Sequence, residues 1–140
     1  MKSTKYFLAA AAILLWGSMS MRAADFKVIA NTSVSGSSVS TDDLRDVFLE
    51  NKDSVSGSHV EPVLQKGGAA HEAFLRQCVG KSDSLLQTYY RSLVFTGKGE
   101  MPKALGSDAE VVAYVAKTRG AIGYVSNATS AEGVKTLEVK

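Results

Sequence analysis

The chain has 140 residues, of which 16 are lysine or arginine and 14 are aspartate or glutamate. Lys2, Lys5 and Arg22 supply three of the basic residues, so from residue 25 onward 13 basic residues face 14 acidic ones and the net charge is near −1. Because no basic cluster remains, the composition argues against nucleic acid as a partner. Residues 25–140 suffice for one ordinary domain but not for two.

The first 24 residues have the layout of a secretory signal peptide. Lys2 and Lys5 precede an apolar run at residues 6–16, and small residues follow that run. The run is too short to span a bilayer, which favours a cleaved signal. We therefore expect a signal peptide at residues 1–24, a mature start within residues 21–25, no membrane span after cleavage and a periplasmic location. An uncleaved N-terminal anchor is the alternative.

Apolar spacing and capping residues predict the element order β-α-β-α-α-α-β-β. Ser40, Ser82 and Ser107 each precede a helical pattern, where a hydroxyl can accept a hydrogen bond from an exposed backbone N–H group. Gly80 and Gly120 follow such patterns and are predicted to end helices. The predicted strands are residues 26–31, 60–65, 121–125 and 134–139, and a further helix is predicted after Gly68.

Two of the predicted helices have clear apolar faces. After Gly68, the spacing i, i+3, i+4 and i+7 places four residues on one face: His71, Phe74, Leu75 and Cys78. The helix that follows Ser82 has a broad apolar stripe: Leu85, Leu86, Tyr89, Tyr90 and Leu93. The single cysteine cannot form an internal disulfide, and its place on an apolar face predicts a buried, inert thiol.

Three segments resemble the phosphate ABC transporter substrate-binding proteins. They are residues 43–49 (DLRDVFL), residues 97–102 (GKGEMP) and residues 121–124 (AIGY), which match that family in order and spacing. The resemblance covers residues 28–125 and implies an α/β domain at residues 25–140. It implies a single lobe of the type II periplasmic-binding-protein fold, with a small mixed sheet flanked by helices. In the full-length family, two such lobes close on an oxyanion.

The resemblance also locates an anion loop. The family reads Arg-x-x-Gly-Ser-Gly-Thr-Arg before a helix that begins Glu-Ala-Phe, whereas residues 64–74 read LQKGGAAHEAF. The serine, the threonine and both arginines are replaced, so the backbone N–H groups at the helix start are the remaining donors, with Lys66 beside them. The expected anion-binding residues are Lys66, Gly67, Gly68, Ala69, Ala70 and His71. For His71, a position facing solvent or the sheet is the alternative to an anion contact.

No catalytic site, metal site or cofactor is predicted. His71 and Cys78 suggest a Cys–His pair, but seven helical residues separate them by roughly 10 Å along the helix axis, beyond hydrogen-bond reach. His59 and Asp53 are too few ligands for a metal ion. Residues 97–99 (GKG) do not follow a predicted strand and do not precede Lys-Ser or Lys-Thr, so they are not a phosphate-binding loop.

These observations favour a non-enzymatic, exported, solute-binding-like protein. The expected function is binding related to phosphate or another small oxyanion, for an ABC transporter, with a degenerate anion loop. The expected protein partner is an ABC transporter permease or an envelope protein. The alternative is a periplasmic interaction or accessory module that has lost ligand binding.

Overall fold

The structure is a computed structural model that describes residues 25–140, so the predicted signal peptide at residues 1–24 lies outside the described residues. The strands are β1 (Phe26–Ala30), β2 (Ser38–Val39), β3 (Ser54–Val55), β4 (Ser58–His59), β5 (Glu61–Gln65), β6 (Lys103–Leu105), β7 (Ala121–Ser126) and β8 (Lys135–Val139). The helices are α1 (Thr41–Phe48), α2 (Ala69–Phe74), α3 (Asp83–Phe95) and α4 (Asp108–Lys117). A π-helical segment, Leu75–Val79, continues α2. Within this part of the chain, no helix has both the length and the apolar character needed to cross a membrane.

A mixed sheet forms the centre of the described domain. Its strand order is β2-β8-β1-β7-β5-β6, and β3 pairs with β4 in a separate hairpin. β1 is antiparallel to both β7 and β8, while β5 is parallel to both β7 and β6. Pro62 is the second residue of β5, which lies inside the sheet. The ring is tolerated there because it stands at the strand's beginning.

Helices cover both faces of the sheet, which gives a three-layer α/β domain. Adjacent strand residues alternate between two clusters of buried side chains: Val28 belongs to the cluster that includes α1, α2 and α3, and Ile29 belongs to the cluster that includes α4. Leu64 and Val63 divide in the same way. This alternation is the expected consequence of the two-residue period of a strand. The predicted α/β class, with a mixed sheet flanked by helices, is therefore confirmed.

The helix starts lie where the capping residues predicted them. Ser40 Oγ accepts from the N–H group of Asp43 at 3.0 Å, and Ser107 Oγ accepts from that of Glu110 at 3.2 Å. The Glu110 carboxylate then accepts from the N–H group of Gly106 at 2.9 Å, so two exposed donors are satisfied together. These hydroxyls fix where α1 and α4 begin.

Three features differ from the sequence predictions. The strands β2, β3, β4 and β6 were not predicted, because two or three residues are too few to show a period of two. Leu85 was placed in an apolar stripe but is 60% exposed. Of that stripe, only Leu86 and Tyr90 are fully buried. The helix after Gly68 is not uniform, because it changes from α to π geometry at Leu75 before Gly80 ends it with φ +75°.

Candidate functional site

The candidate site lies where the chain leaves two neighbouring parallel strands in opposite directions. β5 leads into α2 on one face of the sheet, and β6 leads into α4 on the other face. The carboxyl ends of β5 and β6 lie at the same sheet edge because the two strands are parallel. Such a switch point leaves a crevice between the two loops, and it is the usual ligand position in open α/β sheets.

An open cleft of about 630 Å³ occupies this crevice. One wall comes from the loop after β5 and the start of α2, and the other comes from the loop after β6 and the start of α4. The residues that line the cleft are Asp25, Gln65, Gly67, Gly68, Ala69, Ala70, Gly106, Ser107, Asp108 and Ser126. Four of the six predicted anion-binding residues, Gly67 to Ala70, therefore lie together in it.

The loop after β5 contributes backbone and no polar side chain to the cleft. Gly68 has φ +100° and turns the chain from β5 into α2. The first helical hydrogen bond of α2 runs from the N–H group of Glu72 to the carbonyl of Gly68 at 3.0 Å. The N–H groups that precede it belong to the unsatisfied first turn of a helix. The start of α4 also lines the cleft, although Ser107 and Glu110 already accept from two of the N–H groups there. The positive ends of two helices therefore converge on the cleft.

The side chains around the cleft are acidic or neutral. Asp25 and Asp108 are among its lining residues, and no lysine or arginine is. Lys66 is exposed and adjoins the cleft in sequence without lining it. Both oxygens of the Asp108 carboxylate accept hydrogen bonds, at 2.5 Å from Gln65 Nε2 and at 2.9 Å from Thr129 Oγ1. These two bonds hold the carboxylate in place but come from neutral donors, so its negative charge still opposes an anion in the cleft.

His71 does not line the cleft but faces the sheet, as one of the two alternatives for it predicted. It is 1% exposed, and both ring nitrogens are engaged: Nδ1 lies 2.5 Å from the hydroxyl of Tyr124, and Nε2 lies 2.7 Å from Asp83 Oδ1. A carboxylate only accepts, so Nε2 carries the hydrogen and Nδ1 accepts from Tyr124. Burial also raises the pKa of Tyr124, so this phenol keeps its proton.

Gln65 joins the two walls of the cleft. Its backbone N–H group donates to the hydroxyl of Tyr124 at 3.0 Å, at the base of the loop that leads into α2. Its side-chain amide donates to Asp108 at the start of α4 and to the carbonyl of Tyr124 at 2.9 Å. Gln65 is 6% exposed, and its two bonds to Tyr124 are buried, whereas its bond to Asp108 is part-buried. Gln65 therefore ties the start of α4 to Tyr124 and to the base of the loop that leads into α2.

Neither a reactive thiol nor a metal centre accompanies the cleft. Cys78 is 2% exposed, and burial raises the pKa of its thiol to about 11, against a smaller opposing effect of Arg45. His71 is already bonded to Tyr124 and Asp83, so it does not pair with Cys78. Within residues 25–140, no three His, Cys, Asp or Glu side chains cluster as metal ligands.

One wall of the cleft was not predicted from the sequence. Ser107 and Asp108 were recognised as a helix start but not as part of a site, because the short strand β6 that carries them to the sheet edge shows no periodic pattern. Gln65 offered a weak signal: it is a polar residue at the end of an apolar strand. Asp25 and Ser126 gave none, since the pairing of β1 with β7 brings them there.

Comparison with known proteins identifies the fold. No family model and no curated protein sequence matches this chain. Among solved structures, PstS from Borrelia burgdorferi aligns with a TM-score of 0.63 at 12% identity over 83% of this chain and 47% of its own. An ABC-type phosphate transport receptor from Vibrio cholerae aligns with a TM-score of 0.59 at 12% identity, covering 82% of this chain and 46% of the receptor.

A third structure carries its ligand. It is described as a phosphate ABC transporter substrate-binding protein from Clostridium perfringens with bound phosphate, and it aligns with a TM-score of 0.63 at 14% identity. The alignment covers 82% of this chain and 44% of that protein. This chain therefore has the fold of phosphate-binding proteins of ABC transporters and spans somewhat less than half their length, which corresponds to one lobe.

Proposed function

We propose that this protein is an exported, non-enzymatic solute-binding-type lobe whose cleft holds a small oxyanion such as phosphate or sulfate. One observation carries the proposal: the first residues of α2 and of α4 line the same cleft. Helix starts bind anions because the helix dipole and the unsatisfied donors act together. The fold shared with phosphate-binding proteins supports the same ligand class.

The binding is expected to be weak. Hydroxyl and guanidinium donors, which form the stronger charge-assisted bonds to oxyanions, are replaced in the loop at residues 64–71. Asp25 and Asp108 oppose an anion, and Lys66 acts only from outside the cleft. An open cleft also leaves part of the anion in water, where salt screens it. A dissociation constant on the order of 0.1–1 mM follows.

The proposal is tested by titrating ¹⁵N-labelled protein with sodium sulfate and sodium phosphate at constant ionic strength, with sodium chloride as the reference. The expected result is saturable amide shifts at Gly67–Ala70 and at the start of α4. Lys66→Glu should weaken the binding. The matched charge reversal Lys98→Glu should not, because Lys98 adjoins Gly99, which lines a separate cavity with Glu61 at the other end of β5. Absence of saturable shifts at both helix starts would reject the proposal.

A second candidate function is that of an accessory module which binds a partner protein and no solute. Phe95, at the end of α3, is 93% exposed, and the adjacent Val94 is 50% exposed. Large apolar side chains exposed in succession are typical of contact surfaces. An ABC transporter permease or another envelope protein is the class of partner in this case. The same titration discriminates, since this candidate predicts no saturable shift with either anion.

The location outside the cytoplasm follows from residues 1–24 being a signal peptide. The charged start and the apolar run at residues 6–16 support export. Mass spectrometry of the protein from its native source should find a start within residues 21–25, in the periplasmic fraction. An intact N-terminus in the cytosolic fraction would contradict both the cleavage and the location.

A further inference from the structure

We propose that His71 positions the anion-binding loop through Tyr124, and that acidification therefore weakens anion binding. The inference rests on the proposed function for its ligand. A histidine that touched the anion would bind it more tightly when protonated. A histidine that positions the loop has the opposite effect, because its protonation weakens anion binding.

A directed chain of hydrogen bonds carries the proposal. The backbone N–H group of Gln65 donates to the Tyr124 hydroxyl at 3.0 Å, that hydroxyl donates to His71 Nδ1 at 2.5 Å, and Nε2 donates to Asp83 at 2.7 Å. Each group uses its one donor, so the direction of the chain is fixed by the carboxylate at its end. The chain begins at the residue that precedes the loop, and it needs a neutral His71.

Protonation of His71 removes the acceptor at the middle of this chain. Nδ1 then carries a hydrogen, and the hydroxyl hydrogen of Tyr124 loses its partner. Tyr124 is fully buried, and its oxygen already accepts from Gln65, so bulk water cannot replace the acceptor. A buried donor without an acceptor is costly, and the hydroxyl must turn or move to relieve it. Either change loosens the bond that holds Gln65.

A carboxylate and a phenol face the two ring nitrogens of His71. Asp83 from α3 faces Nε2, and its side chain is 48% exposed, so it can serve as the counterion of an imidazolium. Tyr124 from β7 faces Nδ1 and stacks beside the ring. Glu72 is the next residue of α2. Asp108 of α4 is connected to Tyr124 through the side-chain amide of Gln65, which donates to both residues. Imidazole is the side chain whose charge ordinarily changes between pH 5 and pH 8.

Loosening Gln65 affects both walls of the cleft. The residue precedes the loop that turns at Gly68, and its side-chain amide holds Asp108 at the start of α4. Losing one buried hydrogen bond is expected to change the binding constant about fivefold to tenfold. The sign is diagnostic, because acidification makes the protein more positive as a whole and would otherwise strengthen anion binding.

The test compares sulfate affinity at pH 8 and pH 5 in the unaltered protein and in His71→Gln. Sulfate keeps its charge over this range, unlike phosphate. The expected result is at least about fivefold weaker binding at pH 5 for the unaltered protein, and unchanged or tighter binding at pH 5 for His71→Gln, whose amide accepts from Tyr124 at any pH. His59→Gln is the matched control, since His59 is the only other histidine and its side chain is 76% exposed. Affinity that instead rises at pH 5, with the rise lost in His71→Gln, would overturn the proposal.

A second readout needs no ligand. Amide hydrogen exchange at Gln65 should be at least about tenfold faster in Tyr124→Phe than in Tyr114→Phe, which removes a half-buried hydroxyl bonded to Glu61 elsewhere. Equal exchange in the two variants would overturn the positioning role. Faster exchange without sulfate binding at either pH would support that role while rejecting the proposed function. If Tyr124→Phe fails to fold, exchange at Gln65 is compared at pH 5 between the unaltered protein and His71→Gln. It should be slower in His71→Gln, whose side chain still accepts from Tyr124 at that pH.

Discussion

The hydroxyl of Tyr90 donates a hydrogen bond to the carbonyl of Phe48 at 2.5 Å. This bond connects α3 to the last residue of α1, where helix carbonyls lack partners within the helix. The neighbouring Tyr89 donates in the same way to the carbonyl of Leu49 at 2.6 Å. Two successive tyrosines therefore satisfy two successive carbonyls, and together they fix α1 against α3.

Replacing Tyr90 by phenylalanine should destabilise the fold more than the same change at Tyr89. Tyr90 and Phe48 are both fully buried, whereas Tyr89 is half-buried, so water can reach the Leu49 carbonyl but not the Phe48 carbonyl. We expect a loss of about 1–3 kcal/mol in the free energy of unfolding for Tyr90→Phe and less than about 1 kcal/mol for Tyr89→Phe. Urea denaturation of both variants measures the difference. Equal losses would show that the two carbonyls are equally hydrated.

The thiol of Cys78 should resist a bulky thiol reagent in the folded protein and react once denaturant is added. It is buried, and its pKa is raised from 9.0 to about 11 mainly by that burial. The folded state thus favours the protonated thiol. Its stabilising effect is complete below about pH 9 and is lost as the pH rises through about 11.

The control for this prediction is Cys78→Ala, which removes the titrating group. It should cost about 1 kcal/mol near neutral pH, as small buried truncations do, and it should unfold with a shallower loss of stability between pH 9 and pH 11. The chain has no other cysteine, so labelling reports this site alone. Rapid labelling of the native protein would contradict a buried thiol.

Replacing Gly120 by alanine should be far more damaging than replacing Gly80. Both glycines have positive φ, +80° and +75°, where an alanine is strained by about 1–2 kcal/mol. At Gly80 a Cβ would meet nothing within 4 Å, but at Gly120 it would lie 2.8 Å from the carbonyl oxygen of His59. That oxygen is main chain and cannot rotate away.

The comparison separates conformational strain from contact. Thermal or urea denaturation should show a loss of about 1 kcal/mol for Gly80→Ala and of about 3 kcal/mol or more for Gly120→Ala. The larger loss should be accompanied by disturbed amide signals at Glu61, whose N–H group donates to the carbonyl of Gly120 at 2.9 Å. Similar losses in the two variants would show that the main chain at His59 can shift to make room.

Local chemistry explains which parts of the fold the sequence predicts. Ser40, Ser82 and Ser107 mark helix starts, and Gly80 marks a helix end, because caps act within four residues of the chain. His71 was placed correctly on the buried face of its helix by apolar spacing. The resemblance to phosphate-binding proteins, carried by three short segments, predicted the fold that structure comparison confirms.

Contacts between distant segments explain what the sequence did not predict. β6 forms because Lys103–Leu105 pairs with Val63–Gln65, about forty residues earlier in the chain. Three residues are too few to show the alternating pattern of a strand in the sequence. The second wall of the cleft depends on that pairing. The partners of His71 are likewise remote, since Tyr124 lies 53 residues away in the chain. The anion-binding residues therefore remain a prediction, and four of the six, Gly67 to Ala70, line a cleft that only the folded chain defines.

The last prediction concerns the return of a hydroxyl donor to the anion loop. The family pattern has serine at the position of Gly68, but here Gly68 has φ +100° and ψ 171°, a region that only glycine adopts readily. Gly68→Ser should therefore lose about 1–3 kcal/mol in the free energy of unfolding. Gly67 does not have positive φ, and a Cβ there would meet nothing within 4 Å, so Gly67→Ser should fold with unchanged stability.

Gly67→Ser is the variant that tests the cleft. A hydroxyl at this lining position adds one donor, which should strengthen sulfate binding by about 1 kcal/mol, or about fivefold. Gly67→Ala is the control, because it adds the Cβ without the hydroxyl and should leave the affinity unchanged. Calorimetry of the three proteins with sulfate gives the comparison. Equal affinities for the serine and alanine variants would mean that the bound anion does not reach Gly67, and no binding in all three would leave the accessory module as the function to pursue.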